Sequence, residues 1–505
     1  MNSKSIWRTD TAFQDFPKLQ ESKETEVCIV GAGLTGITAA YLLSKKGMKV
    51  ILLEANQVLS GVTGNTSAKV TAQHGMIYSE LIDTFGEEKA KQYYQANRDG
   101  MDFIKNEITE HRIDCNYEEQ DAFLFTNDDA YLPQLDKEAE AYQTLGIPGE
   151  LTSEMPLDIP FKQALKMPGQ AQFHPLKYLQ FMFEEAVKNG TEVYEQTVAM
   201  KLEYNRQKTV MTKDEYRVAC DYLIAATQFP YIDHQGLYFA KMYAEQSHIV
   251  AGKWTGTYPG GIYINAENPI RSIRTATLNN KDTYLLIGGE NHRSGEKLDE
   301  TSCYANLKAF AKEQFEITDF PYQWSAQDFT TLDKMPYIGP ITGDDPSILI
   351  ATGYKKWGMT NGTLAAKIMT DIITKKDEHP YEGLFSPQRF TSKPMLQNLF
   401  RFNMEVATEF LKGKLSFPAS KEIDTLEIDE AAITTVKGDR VGIYKDMEDQ
   451  VHVLDTTCTH LGCEVNWNGA DRTWDCPCHG SRYHYDGEVM AGPAKKPLRK
   501  ISLDD

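Results

Sequence analysis

The sequence predicts an α/β protein followed by a small, separate all-β module. Three observations carry this prediction: a strand–glycine turn–helix–strand unit at residues 26–54, a second strand-then-helix pattern at 340–375, and short strands with turn signals from 421 onward. A length of 505 residues allows about three domains. Apolar residues at 41% and charged residues at 25% are those of a globular chain, which excludes disorder, collagen-like repeats and small disulfide scaffolds for its bulk. The 53 Lys+Arg against 72 Asp+Glu leave a net charge of −19, unsuited to a nucleic-acid backbone. No apolar run reaches the roughly 18 residues of a membrane span. The polar start MNSKSIWRTDTAFQDF lacks the apolar centre of a secretory signal, so the expected location is cytoplasmic.

In the first unit, Glu26-Val-Cys-Ile-Val30 reads as a buried strand and Gly31-Ala-Gly-Leu-Thr-Gly36 as a tight turn opening a helix through Ile37–Lys46. Gly47 caps the helix, and Lys49–Glu54 is the second, parallel strand. The first two glycines permit the turn and the close approach of a pyrophosphate, the third lets helix pack on sheet, and the helix N-terminus offers a positive dipole. Glu54 is placed to accept hydrogen bonds from an adenosine ribose. This Rossmann-like unit fits FAD and NAD equally, or a structural turn without ligand. Residues 78–165 read as helical stretches alternating with polar loops, 176–189 as a helix, and 192–225 as short strands. At 340–375 the strand Ile348–Thr352 leads through a glycine-rich turn to a helix at Thr363–Lys375. Pro380, Pro387, Pro394 and Pro418 mark a linker over 379–420, in which Leu396, Phe400, Met404, Ala407 and Leu411 recur at helical spacing. The stripe suits a membrane-surface or partner helix, or a linker helix packed on the body; short length and weak basicity favour the packed linker.

Cysteine usage is uneven. Cys28, Cys115, Cys220 and Cys303 are scattered, whereas Cys458, Cys463, Cys476 and Cys478 cluster. Cys458-Thr-His460-Leu-Gly-Cys463 and Cys476-Pro-Cys478-His479-Gly-Ser481 each offer a cysteine and a histidine. Zinc on two cysteines and two histidines is one reading, but its usual fingers keep like ligands together. One Cys and one His per loop suits a two-iron cluster with two thiolates on one iron and two imidazoles on the other. Cys463 and Cys478 remain at matching places, where a disulfide would clamp the loops.

CTHLGC and CPCHGS resemble, residue for residue, the two loops of Rieske [2Fe-2S] domains, and the resemblance covers about residues 421–505. It implies that Cys458, His460, Cys476 and His479 ligate the cluster. It also implies the Cys463–Cys478 disulfide of the respiratory-complex branch, whose proline loop Gly492-Pro493-Ala494 resembles. Ser481 Oγ is then expected to bond a bridging sulfide, and the Tyr483 hydroxyl a ligand thiolate. Donors aimed at sulfur stabilise the reduced cluster, so a potential in the upper Rieske range is expected.

Residues about 24–378 resemble the FAD-dependent glycine/D-amino-acid oxidase-like (DAO) superfamily. The matching pieces are GAGLTG, Gly61–Lys69 running to His74-Gly75, His174-Pro175-Leu176, Asp221–Thr227, Asp333–Pro340 and Ala351–Thr360. The resemblance implies FAD, with Gly31, Gly33, Gly36, Glu54, Thr66, Ser67 and Thr227 along its ADP half and Gly353, Gly358, Met359 and Thr360 toward the flavin ring. A helix beginning after Gly358 would aim its N-terminus at the flavin N1/C2 carbonyl, where charge collects on reduction. Gln228 departs from the family's glycine after the Ala-Thr pair. Nothing demands a covalent flavin; Cys303 and His74 are conceivable attachment points. FAD-binding segments are expected at about 24–75, 170–235 and 325–378, and an α+β substrate part at about 76–169 and 236–324.

Flavoproteins of this group remove a hydride from carbon beside an amine nitrogen, and the flavin does the hard chemistry. Lys69, His74, Lys355 and Lys356 resemble positions near the flavin face, where they could hold substrate or tune the ring; solvated lysines and a hydrogen-bonded loop histidine are the plain alternatives. Arg271 and Arg274 could clamp a carboxylate or form ordinary salt bridges. The whole chain resembles bacterial fusions of a DAO-type flavoprotein with a Rieske domain. The expected function is therefore a dehydrogenase that oxidises a small amine or amino acid and passes electrons from FAD to the cluster and on to an external acceptor. An oxidase that makes peroxide from O2, and an electron-transfer protein without a small-molecule substrate, are the alternatives. No 2-His-1-carboxylate motif adjoins the cluster loops, which argues against a Rieske oxygenase.

Overall fold

The computed structural model describes the chain except residues 1–4, 205–206, 234–235, 280, 344, 376–378, 390–392, 416–420, 422, 437 and 503–505, so Pro418 and part of the expected linker lie outside the described residues. The apolar runs around the glycine turn form an eight-stranded sheet. Lys23–Val30 runs at its centre, parallel to Val50–Leu53 on one side and to Arg217–Ala225 on the other; Glu192–Tyr194 and Ile348–Thr352 extend the parallel register outward. Tyr337–Pro340 closes one edge antiparallel, and the hairpin Ala199–Tyr204/Lys208–Thr212 pairs with Arg217–Ala225. Both faces of the parallel strands are covered, which is why Val50–Leu53 and Ile348–Thr352 are buried along their full length and read as unbroken apolar runs.

Helices Leu34–Lys45 and Gly358–Lys375 pack so closely that a Cβ on Gly362 would stand 2.7 Å from Leu34 Cδ2. The second of these helices begins at Gly358, as the family resemblance implies; the pattern reading starts it at Thr363 because Met359-Thr-Asn-Gly362 carries no apolar spacing, although the structure buries all four residues. Helix Pro175–Lys188 starts under a cap in which His174 Nδ1 accepts the Lys177 N–H at 3.3 Å.

The second layer is a nine-stranded, mostly antiparallel sheet. Its order is Tyr322–Thr331, Met242–Lys253, Asp282–Arg293, Arg271–Leu278, Ile262–Asn265, Glu118–Thr126, Gln163–Gln172 and Lys69–Val70, with Glu150–Thr152 beside Gln163–Gln172. Here the structure corrects the reading of 78–165 as helices and polar loops: Glu118–Thr126 and Gln163–Gln172 are strands paired along most of their length. Their polar halves, Glu118–Asp121 and Pro168–Gln172, hide the alternation on which a strand prediction rests.

The C-terminal residues form a three-stranded sheet (Glu430–Val436, Asp439–Lys445, Val451–Asp455) and a four-stranded one (Asn466–Asn468, Thr473–Asp475, Arg482–His484, Val489–Ala491). Helix Lys393–Leu415 leads into them. The apolar stripe singled out in the sequence faces outward, with Phe400 71% and Met404 53% exposed, whereas Phe402 is 5% exposed and Val406 and Phe410 pack on the C-terminal core. The helix carries two apolar stripes, and spacing alone cannot say which one is buried. Among the described residues, no helix is long and apolar enough to cross a membrane.

Candidate functional site

The glycine turn opens onto a cavity of about 1620 Å³ that reaches from Gly31 and Glu54 to residues of the C-terminal module such as Arg482 and Pro493. Gly31 sits at φ +104, and a Cβ there would strike Ala226 O at 2.5 Å, so this position demands glycine on both counts. Glu54 turns its carboxylate back on the turn, accepting the Ala32 N–H at 2.8 Å and the Asn56 N–H at 2.9 Å; burial raises its pKa. Gly33, Thr66, Ser67, Thr227, Gly353, Gly358 and Met359 line the same cavity. Gly36 and Thr360 do not. Gly36 seals the turn from behind, where a Cβ would meet Gly31 O at 1.9 Å. Thr360 Oγ1 bonds to Thr71 O at 3.3 Å and lies 3.4 Å from His74 Nε2.

Next to the cavity-lining residues Arg482 and Gly492–Ala494, two loops close on themselves in the same way. Cys458 N donates to Cys463 O at 2.7 Å, and Cys476 N donates to Ser481 O at 2.8 Å. A Cys463–Cys478 disulfide joins the loops, with Cα atoms 6.5 Å apart. The buried thiols of Cys458 and Cys476 face each other: Cys476 donates, pulling Cys458 down to about 6 and leaving Cys476 well above the usual thiol range. The imidazoles of His460 and His479 stand edge to face, 5.0 Å between centroids. Burial pushes them down to about 4 and about 3, keeping both neutral, and His460 Nδ1 is buried without a partner. The Tyr483 hydroxyl lies 3.2 Å from Cys458 Sγ, and Ser481 Oγ accepts the Ala494 N–H at 3.1 Å.

These loops rest on the nine-stranded sheet. Gly480 O accepts Gln327 Nε2 at 2.8 Å, and Phe239 lies edge-on to both imidazoles, 5.5 Å from His460 and 5.3 Å from His479. Asp471 accepts from Ser325 Oγ at 2.5 Å, Gln246 Nε2 at 2.7 Å and Arg482 Nη2 at 2.7 Å, tying the module to two strands of that sheet.

Comparison with known proteins fits this geometry. Residues 26–372 match the family described as FAD dependent oxidoreductase (DAO), and residues 418–502 match the Rieske [2Fe-2S] domain. The chain belongs to the DAO family of FAD-dependent oxidoreductases. It is 43% identical over 500 residues to the Rieske 2Fe-2S iron-sulfur protein YhfW of Bacillus subtilis, covering 99% of this chain and 98% of that one. In fold it is similar to glycine oxidase from Geobacillus kaustophilus (TM-score 0.62, 17% identity, 73% of this chain and all of that one). It is likewise similar to L-proline dehydrogenase from P. horikoshii (TM-score 0.59, 17% identity, 73% and 98%).

The cofactors of this DAO-family oxidoreductase are FAD and a Rieske cluster. The residues present fit both. Two facing thiols, two neutral imidazoles and an unpartnered buried ring nitrogen form the mixed donor set that a two-iron cluster takes. The glycine turn, the Glu54 carboxylate and the N-terminus of Gly358–Lys375 meet in one cavity of about 1620 Å³, roomy enough for a dinucleotide.

The lysines and histidine expected near the flavin face fare differently. Lys69 lies 8% exposed at the cavity wall; its Nζ donates to Ser272 Oγ and, at 3.3 Å, to Tyr263 O, and burial with Arg274 nearby lowers it to about 7. Lys355 and Lys356, both at positive φ, also line the cavity; burial lowers Lys355 to about 8 and lowers Lys356 as well. His74 has both ring nitrogens engaged, Nδ1 with the Tyr93 hydroxyl at 2.7 Å and Nε2 with Thr71 O at 2.8 Å, and its ring stacks on Trp357 at 4.7 Å. Cys303 stands in helix Glu300–Phe315 and is not part of the cavity wall. Neither arginine is a substrate clamp. Arg274 is spent on the carbonyls of Ser67, Ala68 and Phe173, and Arg271 on Glu290 at 2.5 Å, because buried guanidiniums need every donor filled.

Sequence reasoning missed Glu245 and Asp328. They face each other across adjacent antiparallel strands on the cavity wall, with Lys356 Nζ 4.0 Å from Glu245. Burial, helped by Glu245, raises Asp328 to about 6 against the pull of Lys356. Alternation within Met242–Lys253 and Tyr322–Thr331 was the only available signal, and it does not say which strands pair. Gln228, the family's missing glycine, holds φ +63 and donates from Nε2 to Gln327 O, so its side chain points along the path to the cluster loops.

Proposed function

We propose that this oxidoreductase is a dehydrogenase: a small amine or amino acid is oxidised at the FAD site, and the electrons pass through the Rieske cluster to an external acceptor. FAD supplies hydride acceptance and the cluster one-electron acceptance. In this reading Cys458, His460, Cys476 and His479 hold the cluster. Gly31, Gly33, Glu54, Thr66, Ser67 and Thr227 hold the ADP half of FAD with Gly36 packing the turn from behind, and Gly353, Gly358 and Met359 approach its ring with Thr360 supporting them from outside the cavity. Residues 1–378 form the flavoprotein, 379–420 the linker and 421–505 the cluster module. Glu245 and Asp328 supply the negative wall that an ammonium group needs, with Lys356 setting their charge and Lys69 offering a cation to a carboxylate. The amino-acid substrates named for the glycine oxidase and L-proline dehydrogenase neighbours support that substrate class.

One observation carries the relay. Thr352 on the FAD cavity wall donates to Gln228 O, Gln228 donates to Gln327 O, and Gln327 donates to Gly480 O, next to His479. A continuous bonded path thus joins the two sites within one chain, so the acceptor is held beside the donor at a fixed, high effective concentration. The test is an anaerobic screen of amines and amino acids, following flavin bleaching by absorbance and the reduced cluster by electron paramagnetic resonance. A substrate that bleaches the flavin and then raises the cluster signal is expected. Bleaching with rapid peroxide formation that survives His460→Ala identifies an oxidase and overturns the relay; bleaching only by a reduced protein partner identifies an electron-transfer protein.

A further inference from the structure

Two histidines and a cysteine that the redox chemistry does not use meet at the cavity wall, where His248 belongs to the lining and His292 and Cys303 stand behind it. His248 and His292 come from the paired strands Met242–Lys253 and Asp282–Arg293, and Cys303 from the first turn of the helix Glu300–Phe315 that covers them. One ring nitrogen of each histidine and Cys303 Sγ lie within 4.8 Å of one another. His248 is 0% and Cys303 2% exposed, and the His292 side chain 7%.

Polar atoms this deep are normally paired, yet Nε2 of His292 makes no hydrogen bond, and the ring nitrogens of His248 make none of normal geometry although the Glu290 backbone lies near. Nδ1 of His292 is held by the Glu290 carbonyl at 3.2 Å. That bond fixes the tautomer with Nε2 free to ligate, the arrangement found around metal-bound imidazoles. Glu300, 3% exposed at the start of the same helix, brings Oε1 to 3.9 Å from His292 Nε2. The Tyr304 ring closes the other side, edge-on to His248 at 4.8 Å. Stacking of the two imidazoles at 5.4 Å accounts for their parallel planes, but it leaves all three nitrogens unsatisfied.

We propose that His248, His292 and Cys303, completed by Glu300, bind a zinc ion in a closed, four-coordinate structural site. One thiolate, two imidazoles and one carboxylate select zinc over the oxygen-seeking magnesium and calcium. Binding releases the protons of the Cys303 thiol and the Glu300 carboxyl to solvent, so two negative ligands balance the dication and no electron is transferred. The ion would also anchor the loop between His292 and Glu300. Gly295 in that loop accepts Asn466 Nδ2 at 2.7 Å, and a Cβ there would stand 2.5 Å from the Cys476–Pro477 peptide. The second cluster loop therefore rests on a segment that the metal pins.

The test uses the full-length holoprotein, purified without chelators from cells grown with iron and zinc, with zinc, iron and flavin measured together. About one zinc per chain is expected alongside the roughly two irons of the cluster. Cys303→Ala and His292→Ala should each lose that zinc while keeping flavin and iron. X-ray absorption at the zinc edge of the unaltered protein should give one sulfur at about 2.3 Å and three nitrogen or oxygen atoms at about 2.0–2.2 Å. Two sulfurs in that shell would mean zinc in the Rieske loops and would overturn the proposal. So would a zinc-free protein with full flavin and iron, or zinc retained in Cys303→Ala. Should the variants fail to fold, the absorption shell of the unaltered protein decides alone, and it does so whether or not an amine substrate is ever found.

Discussion

The Tyr483 oxygen accepts the Thr459 N–H at 3.0 Å, and its own proton faces two acceptors, Cys458 Sγ at 3.2 Å and Thr459 Oγ1 at 3.1 Å, of which an ionised thiolate is the stronger. A donor aimed at sulfur favours the reduced cluster, so Tyr483→Phe should lower the midpoint potential. The expected drop in a redox titration is roughly 40–90 mV, the equivalent of a hydrogen bond about 1–2 kcal/mol stronger in the reduced state. Asp328 makes a second prediction. With its carboxyl raised to about 6, it is neutral below that pH and charged above it. KM for an amine should therefore fall as pH rises through about 6, and Asp328→Asn should flatten that limb and raise KM by about tenfold, as expected for one lost charge-assisted bond. These two residues also mark what the sequence discloses. Tyr483 could be placed because it sits a few positions from its sulfur, in a loop whose ligand spacing is diagnostic. Asp328 and Glu245 could not, because they meet only through the pairing of two distant strands.

Among the elements, the loop Cys476–Ser481 meets the nine-stranded sheet at Gly480, whose φ is +73. A Cβ there would stand 2.2 Å from Ala244 Cβ and 2.7 Å from Gln327 Nε2. Gly480→Ala should therefore push the loop off the strand and slow flavin-to-cluster transfer by an order of magnitude or more in stopped-flow traces, with flavin content unchanged. Helix Lys393–Leu415 predicts the opposite kind of result. Phe400, 71% exposed, contributes little to the core, so Phe400→Ser should move the unfolding free energy by less than about 0.5 kcal/mol. The unit at 26–54 was legible because turn, helix and parallel strand are contiguous and each obeys its own local rule. The strands Glu118–Thr126 and Gln163–Gln172 were not, since polar residues in half of each break the period and their partners lie far along the chain.

Across the whole molecule, a buried polar network fastens the modules together. Asp471 gathers Ser325 and Gln246 from one module and Arg482 from its own, and Arg482 keeps a second partner in Asp475 at 3.0 Å. Asp471→Ala should cost about 2–3 kcal/mol in denaturant unfolding and separate the melting of the two modules in calorimetry, because Arg482 stays half-neutralised while three bonds between modules and within one are lost. Composition and motifs announced two modules; how they dock was hidden, since no local pattern encodes which face a surface aspartate will meet. That docking treats the two histidines unequally. Phe239 touches both, yet His479 is only 5% exposed while His460 keeps a side open to solvent. Under the proposed relay the metal centre is thus polarised, with an inner pole against its supply and an outer pole toward any visitor. Loading and discharge occupy different sides, so a bound visitor does not obstruct refilling.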